Sequence, residues 1–378
     1  MLRRFLALIL VLPLLAFAQV PIEGVTRPSI AGRAWVLADV SSGQILAAEK
    51  PDERFEPASL TKIMTAYVVF AALKEKKLAL DQPVSVSEKA WRAPGSRMFI
   101  EPKRTVTADE LIRGMIVQSG NDACIALAER IAGSEEAFAG MMNREAERLG
   151  MKNSKFMNAS GLPDPQHYSS ARDLYLLASA LIRDFPEQYA QYYSLREYRY
   201  NGITQPNRNR LLWLDNTVDG MKTGFTEAAG YCLVASSKRG PRRLLSVLLG
   251  STSESMRAQE SQKLLNWGFQ FFDAVRLYGG GAAAKEIEIW KGSKSTLKAG
   301  FRNDLVVAVP KGQGEKLKAE LLSLSPLLAP VAEGARVGNL RVTLDGKPLG
   351  EYPVIALEAV PEAGFFGRAW DTLRLWLK

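Results

Sequence analysis

A serine and a lysine stand three residues apart at the start of a segment with strong helical spacing. Ser59 and Lys62 belong to the tetrad Ser-Leu-Thr-Lys, which follows Pro57. Apolar residues then recur at helical intervals, at Ile63, Met64, Tyr67, Val68, Phe70 and Ala71. Side chains three apart on a helix share one face, so the tetrad predicts a buried helix that brings a hydroxyl and an amine together. A buried lysine beside a serine is a candidate general base.

Two further short motifs carry side chains of the same kinds. The triplet Ser119-Gly120-Asn121 lies between two segments with helical patterns, and the triplet Lys222-Thr223-Gly224 lies at a predicted strand. The three motifs stand in the order, and in the structural settings, known for serine enzymes that carry a lysine in the tetrad. Together they predict one catalytic site assembled from three distant parts of the chain.

The first two motifs supply a nucleophile, a base and a proton relay. A serine hydroxyl is a weak nucleophile until a neighbouring base removes its proton. Lys62 can act as that base only when neutral, and both burial and the charge of Lys222 lower its pKa. Ser119 can relay a proton to a leaving amine, and Asn121 can hold Lys62 and contact a substrate amide. This set of groups is suited to acyl transfer.

The third motif is suited to substrate binding. Lys222 and Thr223 offer a charge and a hydroxyl to a substrate carboxylate, while Gly224 allows an extended substrate to lie close to the strand. The backbone N–H groups of Ser59 and Phe225 are the natural donors to an oxyanion.

The length and the change of composition along the chain predict two domains. The chain has 378 residues, and after the glycine run at 279–281 short strand-like runs alternate with Lys-Gly, Asp-Gly and Pro turns. We expect an α/β (α+β) domain at 19–278, with an antiparallel sheet and a helical cluster, and a smaller all-β domain at 279–360. The runs Ala34–Asp39 and Gln44–Ala48 predict a hairpin, and Met221–Phe225, Tyr231–Ser237 and Leu244–Leu249 predict the strands of one antiparallel sheet.

The N-terminus has the pattern of a secretory signal peptide at 1–18. Arg3 and Arg4 precede the apolar run Phe5–Leu15, and Ala16-Phe17-Ala18 offers a cleavage site before Gln19. The formal charge falls from +9 to +7 without the two arginines, and this basic balance suits an anionic membrane or wall surface. No nucleic-acid-binding motif accompanies it. We therefore expect an exported protein.

Cysteine and histidine are scarce. Cys124 and Cys232 fall inside a predicted helix and a predicted strand, where buried small hydrophobic residues are expected, so they do not indicate a disulfide scaffold. His167 is the sole histidine, and it has no neighbouring Cys/His cluster. The sequence therefore predicts neither a metal site nor a cofactor.

The last segment, 361–378, predicts an amphipathic helix. Phe366, Trp370, Leu373 and Leu377 fall on one helical face. The charged residues opposite or beside them are Arg368, Asp371, Arg374 and Lys378. These charges exclude a membrane span, but aromatic residues with cationic neighbours suit peripheral association with a membrane surface. The alternative is a helix packed on the β domain.

The three motifs, the signal peptide, the run Lys263-Leu264-Leu265-Asn266-Trp267-Gly268-Phe269, the β domain and the terminal helix together resemble one family. These features are similar to low-molecular-mass penicillin-binding proteins of the D-alanyl-D-alanine carboxypeptidase kind, the group of penicillin-binding proteins 5 and 6. The resemblance implies a serine β-lactamase/transpeptidase-like catalytic domain. It also implies an acyl-enzyme on Ser59, release of terminal D-alanine from a peptidoglycan stem pentapeptide during cell-wall biogenesis, and acylation by β-lactam antibiotics.

The same resemblance implies roles for two arginines. Arg208 and Arg257 match arginines near the substrate carboxylate, although each could equally form a structural ion pair. Phe225 stands where relatives often have histidine, and so does Ser160 before Gly161. These departures leave the backbone donor of Phe225 in place but remove the side-chain function that a histidine would supply.

Three alternative functions remain open from the sequence. A β-lactamase of the same fold needs a base for deacylation, commonly a glutamate in the loop before the third motif, and there is none between Asn153 and His167. A D,D-endopeptidase of this fold usually lacks the β domain and the tail. A catalytically silent murein-binding scaffold is the non-enzyme alternative. His167 is a competing base for Ser59, but no serine lies in a G-x-S-x-G elbow.

Overall fold

The computed structural model describes residues 25–377, so the predicted signal peptide at 1–18 lies outside the described residues. The chain divides into two compact units. The larger unit runs up to Val275 and includes Val306–Gly312, and the smaller unit contains Arg276–Leu305 and the chain from Gln313 onward.

The larger unit is built on a five-stranded antiparallel sheet with the strand order β2-β1-β9-β8-β7. Its strands are β1 (Ala34–Asp39), β2 (Gln44–Glu49), β7 (Val218–Thr226), β8 (Gly230–Arg239) and β9 (Arg242–Ser251). Two small hairpins add β3 (Pro83–Val84) with β4 (Val106–Thr107), and β5 (Glu197–Tyr200) with β6 (Ile203–Pro206). Because β7 ends the sheet, one of its backbone edges is free of sheet partners in the described residues.

Helices cover this sheet. They are α1 (Lys62–Lys74), α2 (Glu88–Trp91), α3 (Ala108–Arg113), α4 (Asn121–Ala132), α5 (Glu135–Arg148), α6 (Ala171–Asp184), α7 (Pro186–Tyr192), α8 (Leu211–Leu214) and α9 (Glu254–Phe271). Helix α1 is apolar on nearly all sides and lies in the hydrophobic core, as expected for a helix without a polar face. Helix α9 packs on β8 and β9, and Gly268 allows this contact because a Cβ there would lie 2.7 Å from Leu244.

The smaller unit is mostly β-structure. The strands that remain are β10 (Phe272–Tyr278), β11 (Ala283–Glu288), β12 (Thr296–Gly300), β13 (Leu305–Pro310), β14 (Leu317–Ser323), β15 (Arg336–Leu344) and β16 (Lys347–Ala356). Five of them form a sheet with the order β11-β12-β16-β15-β14. Helix α10 (Phe365–Trp376) follows this sheet. The chain passes between the two units within β10 and β13.

The predicted fold class is confirmed, and several details differ from the sequence interpretation. The predicted strands of the first sheet and the terminal helix are present. The tetrad, however, opens as a 3₁₀ turn at Ala58–Thr61 before the α-helix begins at Lys62. The helical segment before Ser119 ends in a π-helical turn, Gly114–Gln118, and α7, α8 and the β5–β6 hairpin were not predicted.

Candidate active site

The nucleophile candidate, Ser59, lies in the 3₁₀ turn that leads into α1. Ser59 is half-buried, whereas Lys62 is 1% exposed, and the Lys62 Nζ lies 3.0 Å from Ser59 Oγ. The turn brings the two side chains together, as the spacing of the tetrad predicts. The amine predicted to act as the base therefore reaches the hydroxyl it would deprotonate.

Two carbonyl oxygens fix the orientation of the Lys62 amine. Lys62 Nζ donates to Asn121 Oδ1 at 2.7 Å and to the backbone carbonyl of Ser160 at 2.6 Å. Both oxygens can only accept, so in the neutral amine they take both N–H groups and leave the lone pair directed at Ser59 Oγ. In the ammonium form, the third N–H points to Ser59 instead. Neutral Lys62 is thus oriented to accept the serine proton.

Burial also lowers the pKa of Lys62 below its ordinary value. Removal of the amine from water is the largest cause, and the nearby charge of Arg208 acts in the same direction. The pKa of Lys222 is lowered well below its ordinary value, first by burial and then by the charges of Lys62 and Arg208. The lowered pKa of Lys62, caused first by burial, favours the neutral amine that a general base requires.

The second motif lies where the π-helical turn meets α4. Ser119 has a left-handed backbone with φ 65°, and α4 begins at Asn121. The buried Ser119 Oγ has no hydrogen-bond partner in the part of the chain that the structure describes. A buried orphan hydroxyl is costly in a folded protein, and a substrate or a water would satisfy it. Asn121 Nδ2 donates to the carbonyl of Pro94 at 2.7 Å, and its second N–H remains for a substrate carbonyl.

The third motif lies inside β7, not before it, and β7 packs on the turn that carries Ser59. Lys222 and Thr223 are buried. At Gly224 a Cβ would lie 3.0 Å from the carbonyl of Pro57 and 3.2 Å from Leu60, so the glycine allows the strand to approach the turn. The third motif therefore lies directly beside the nucleophile turn, as predicted for a single site.

The two arginines have different contacts. Arg257 is buried, and its Nη2 donates to the carbonyl of Arg208 at 3.2 Å and lies 3.3 Å from Glu254. Burial lowers the pKa of Arg257. Arg208 is exposed, and its guanidinium forms no ion pair with any residue in 25–377, although its charge acts on both buried lysines. Arg208 is the arginine that is free for a substrate carboxylate, while Arg257 holds the backbone of Arg208.

The loop that carries the Ser160 carbonyl was not recognised as part of the site from the sequence. The Oδ1 of Asn158 accepts the backbone N–H groups of Ser160, Gly161 and Leu162 at 3.2, 2.7 and 3.1 Å. Thr65 on α1 donates to the carbonyl of Ala159 at 2.6 Å. These bonds hold the Ser160 carbonyl in place over Lys62. A backbone acceptor has no residue-type signature, so its role could not be predicted from the sequence.

A glycine in this loop lies in close contact with the turn that carries Ser59. Gly161 has φ +83°, and a Cβ there would lie 1.8 Å from the carbonyl of Ala58 in the nucleophile turn. No other residue type fits this approach without movement of the backbone. A glycine in the turn-rich segment before His167 was the one sequence feature that pointed to this contact.

A buried carboxylate reaches the same loop from α5. Glu135 accepts the N–H of Ala159 at 3.0 Å through Oε1, and its Oε2 lies 2.9 Å from the amine of Lys89. The loop sequence has no glutamate of its own, so this carboxylate was missed. Both of its oxygens have partners, and it therefore acts as a structural clamp on the loop, not as a free base.

His167 does not contact Ser59. Its Nδ1 accepts the N–H of Met157 at 3.3 Å, so Nε2 carries the proton and donates to Thr61 Oγ1 at 2.9 Å. Burial lowers the pKa of His167 to about 4. Both ring nitrogens are thus engaged in holding the loop against the tetrad, which excludes the conventional Ser-His arrangement in this structure.

Comparison with known proteins gives family matches over both units. Residues 22–253 match the family model described as D-alanyl-D-alanine carboxypeptidase, and residues 272–362 match that of the penicillin-binding protein 5 C-terminal domain. The chain is 47% identical over 357 residues to D-alanyl-D-alanine carboxypeptidase DacC of Escherichia coli strain K12, which covers 92% of this chain and 89% of that protein.

Solved structures show the same relationship. Penicillin-binding protein 5 from Haemophilus influenzae aligns with a TM-score of 0.85 at 42% identity, over 90% of this chain and 100% of that chain. Penicillin-binding protein D2 from Listeria monocytogenes, solved in an ampicillin-bound form, aligns with a TM-score of 0.60 at 31% identity, over 65% of this chain and 100% of that chain.

Proposed function

The chain belongs to the D-alanyl-D-alanine carboxypeptidase family, and from this premise we propose that it removes the terminal D-alanine of peptidoglycan stem peptides through an acyl-enzyme on Ser59. The observation that carries the proposal is the Lys62 amine, 3.0 Å from Ser59 Oγ, with both of its neutral N–H groups directed to carbonyl oxygens. This arrangement explains how Ser59 can be deprotonated without a histidine as the base.

In the acylation step, neutral Lys62 takes the proton of Ser59 while Oγ attacks the carbonyl carbon between the two D-alanines. The backbone N–H groups of Ser59 and Phe225 donate to the oxyanion. The proton then passes from Lys62 through the Ser119 hydroxyl to the nitrogen of the leaving D-alanine, the C–N bond breaks, and an ester remains on Ser59. The orphan Ser119 hydroxyl supports this relay.

The carboxylate of the leaving D-alanine needs cationic partners. The Lys222 amine, the Thr223 hydroxyl and the Arg208 guanidinium are the groups of this site that suit it, since Arg208 has a free guanidinium and Lys222 a buried amine. In the second step, a water gives a proton to Lys62 and attacks the ester carbonyl. The acyl C–O bond then breaks, and Lys62 returns the proton to Ser59 Oγ, which restores both groups.

β-Lactams would follow the same first step. The Listeria relative was solved with bound ampicillin. In this chain, Ser59 and the Lys62 amine beside it would attack a β-lactam carbonyl in the same way as a peptide carbonyl. Glu135, the glutamate of α5 that bonds to this loop, has both oxygens engaged with Ala159 and Lys89. Because neither oxygen of Glu135 is free to activate water, the penicilloyl ester is expected to persist.

Intact-mass analysis tests the proposed function. Incubation with a peptide ending in D-alanyl-D-alanine is expected to release one D-alanine per peptide, and incubation with benzylpenicillin is expected to give a single long-lived adduct that maps to Ser59. The physical reason is that the base can deprotonate Ser59 but nothing in the loop accelerates the release of the bulky acyl group. Penicillin turnover at hundreds per second, or an adduct at another residue, would contradict the assignment.

We further propose that the protein is exported and associates with the periplasmic face of the cytoplasmic membrane through α10. Six large apolar residues of the tail are between 50% and 87% exposed, namely Phe365, Phe366, Trp370, Leu373, Trp376 and Leu377. The polar side of α10 contacts the rest of the smaller, mostly β unit (hereafter the β-unit). Asp371 accepts the N–H of Lys291 at 2.6 Å, and Arg374 lies over the Trp290 ring. No helix in residues 25–377 is long and apolar enough to cross a membrane.

Deletion of the residues after Ala363 is expected to abolish membrane association and to leave D-alanine release unchanged. The deletion removes the exposed apolar face but none of the catalytic groups, and burial of such a face in the lipid interface drives binding. Co-sedimentation with vesicles that contain phosphatidylglycerol measures the effect.

A matched pair of substitutions serves as the control for the tail. Trp370→Glu is expected to weaken vesicle binding by about tenfold or more, because an aromatic anchor is lost. Leu324→Glu, at an exposed apolar residue of the β-unit outside α10, is expected to have no effect. Binding of the truncated chain at the level of the full chain would assign the association to another surface.

A further inference from the structure

The exposed Phe99 and the half-buried Arg97, in the loop that contacts Asn121, have no part in the chemistry described above. We propose that Arg97 and Phe99 form a binding shelf, the Arg97–Phe99 shelf, that selects substrates with an acidic side chain on the residue immediately before the D-alanyl-D-alanine pair. The proposal rests on the proposed function, since it concerns the choice of substrate at the same site.

The position of the shelf follows from the contacts of Asn121. The Asn121 backbone N–H donates to the carbonyl of Ser96 at 2.7 Å, and its side chain donates to the carbonyl of Pro94 at 2.7 Å. The loop that begins at Pro94 is therefore joined directly to the residue that would meet the substrate amide. A substrate side chain on the far side of that amide from the scissile bond reaches the loop, and Arg97 is the residue after Ser96.

The backbone of the shelf is held by a buried carboxylate and includes a strained residue. The fully buried carboxylate of Asp122 accepts the N–H groups of Met98, Phe99 and Ile100 at 3.0, 2.8 and 3.3 Å. Phe99 has φ 68°, a left-handed conformation that strains any residue with a Cβ. Strain of this kind persists where the surrounding structure enforces it, and it concentrates at functional sites.

What this arrangement presents to solvent is an aromatic ring. The Phe99 side chain is 41% exposed, although its backbone is strained and its N–H is bound by the buried carboxylate of Asp122. The neighbouring β5–β6 hairpin adds a further bond, from Gln205 Nε2 to the carbonyl of Arg97 at 3.3 Å. The backbone of both shelf residues is thus held by neighbouring elements, Phe99 by Asp122 of α4 and Arg97 by Gln205 of the hairpin.

The charge of Arg97 indicates which kind of substrate group would bind at the shelf. Its guanidinium lies 5.2 Å from the centre of the Phe99 ring and has no carboxylate partner in the described chain. The exposed arginines on either side do have one: Arg92 pairs with Glu88 at 2.8 Å, and Arg104 lies 3.9 Å from Glu101. An arginine that is held against a ring with its donors free matches a carboxylate, which it can bind through two parallel hydrogen bonds.

Two peptides that differ in one group test the shelf. Both end in D-alanyl-D-alanine, and the residue before this pair is L-2-aminopimelic acid in one and its side-chain amide in the other. The purified protein is expected to release D-alanine from the acidic peptide with a kcat/KM about five- to tenfold above that for the amide, as for a partly exposed charge-assisted contact. The difference is expected in KM, because the contact exists before and during the reaction.

Arg97→Gln is expected to bring the ratio of the two kcat/KM values to about one by lowering the value for the acidic peptide. Arg97→Glu is expected to favour a third peptide with lysine at this position. Arg92→Gln removes the other arginine that stacks on an exposed ring, here Trp91, and is expected to leave the ratio as it is.

The outcomes separate the two proposals. An acid-to-amide ratio that is the same in the parent protein and in Arg97→Gln would overturn the shelf, even if both peptides are hydrolysed. Release of D-alanine from neither peptide by the parent protein would overturn the proposed function and the shelf with it.

Discussion

Replacing Ser59 by alanine is expected to lower D-alanine release by about a thousandfold or more and to abolish covalent labelling by penicillin, because the hydroxyl that forms the acyl-enzyme is lost. The fold is expected to persist, since Ser59 is half-buried and the two carbonyl acceptors of Lys62 remain. Release of D-alanine, mass analysis after exposure to benzylpenicillin and thermal unfolding measure the three effects.

Ser160→Ala is the matched control for this change. Ser160 takes part in the site through its backbone carbonyl, and its own hydroxyl contacts Asn158 at 3.3 Å. Loss of that hydroxyl is expected to change acylation by no more than a few-fold, in contrast to the loss at Ser59. The Ser59→Ala variant also tests the alternative of a silent murein-binding scaffold. An unchanged cellular effect of this variant would favour the scaffold over the enzyme.

The candidate catalytic groups could be identified in the sequence because their chemistry is carried by residue types at short, fixed spacings. Ser59 and Lys62 meet in one turn, and the other two motifs lie against that turn, as predicted. The sequence could not predict which atoms orient the amine. The Ser160 carbonyl belongs to the backbone, and its position depends on Asn158, an ordinary turn residue until its bonds are seen.

The elements that were missed lack a hydrophobic period of their own. The β5–β6 hairpin, Glu197–Tyr200 with Ile203–Pro206, has polar and apolar residues on exposed or half-buried positions, and α8 is a single turn. Such elements are set by the surfaces they pack on, here the π-helical turn beside Ser119. The terminal helix was predicted because its exposed apolar face keeps the helical period in the sequence.

The position of Glu135 shows the same limit. The absence of glutamate between Asn153 and His167 is a true statement about the loop sequence, yet a carboxylate from α5 bonds to the loop at Ala159. Long-range contacts of this kind have no signal in a single sequence. The conclusion of slow deacylation now depends on the engaged oxygens of Glu135, and no longer on the absence of a carboxylate.

Replacing Lys62 by alanine is expected to reduce acylation of Ser59 by at least about a thousandfold, because the amine that lies within hydrogen-bond distance of the hydroxyl is lost. The free energy of unfolding is expected to fall by about 1–3 kcal/mol, since Asn121 Oδ1 and the Ser160 carbonyl lose their donor. Stopped-flow acylation by a chromogenic β-lactam and denaturant unfolding measure the two quantities.

The pH dependence separates a base from a merely structural lysine. Burial lowers the pKa of Lys62 below its ordinary value of 10.5, so its neutral fraction increases as the pH rises and reaches a plateau at lower pH than for an exposed lysine. Acylation by the parent protein is expected to rise with pH in the same way, and the residual rate of Lys62→Ala is expected to lack this rise. Lys74→Ala, at the exposed end of the same helix, should keep the parent profile. Acylation of Lys62→Ala within a few-fold of the parent would refute the base assignment.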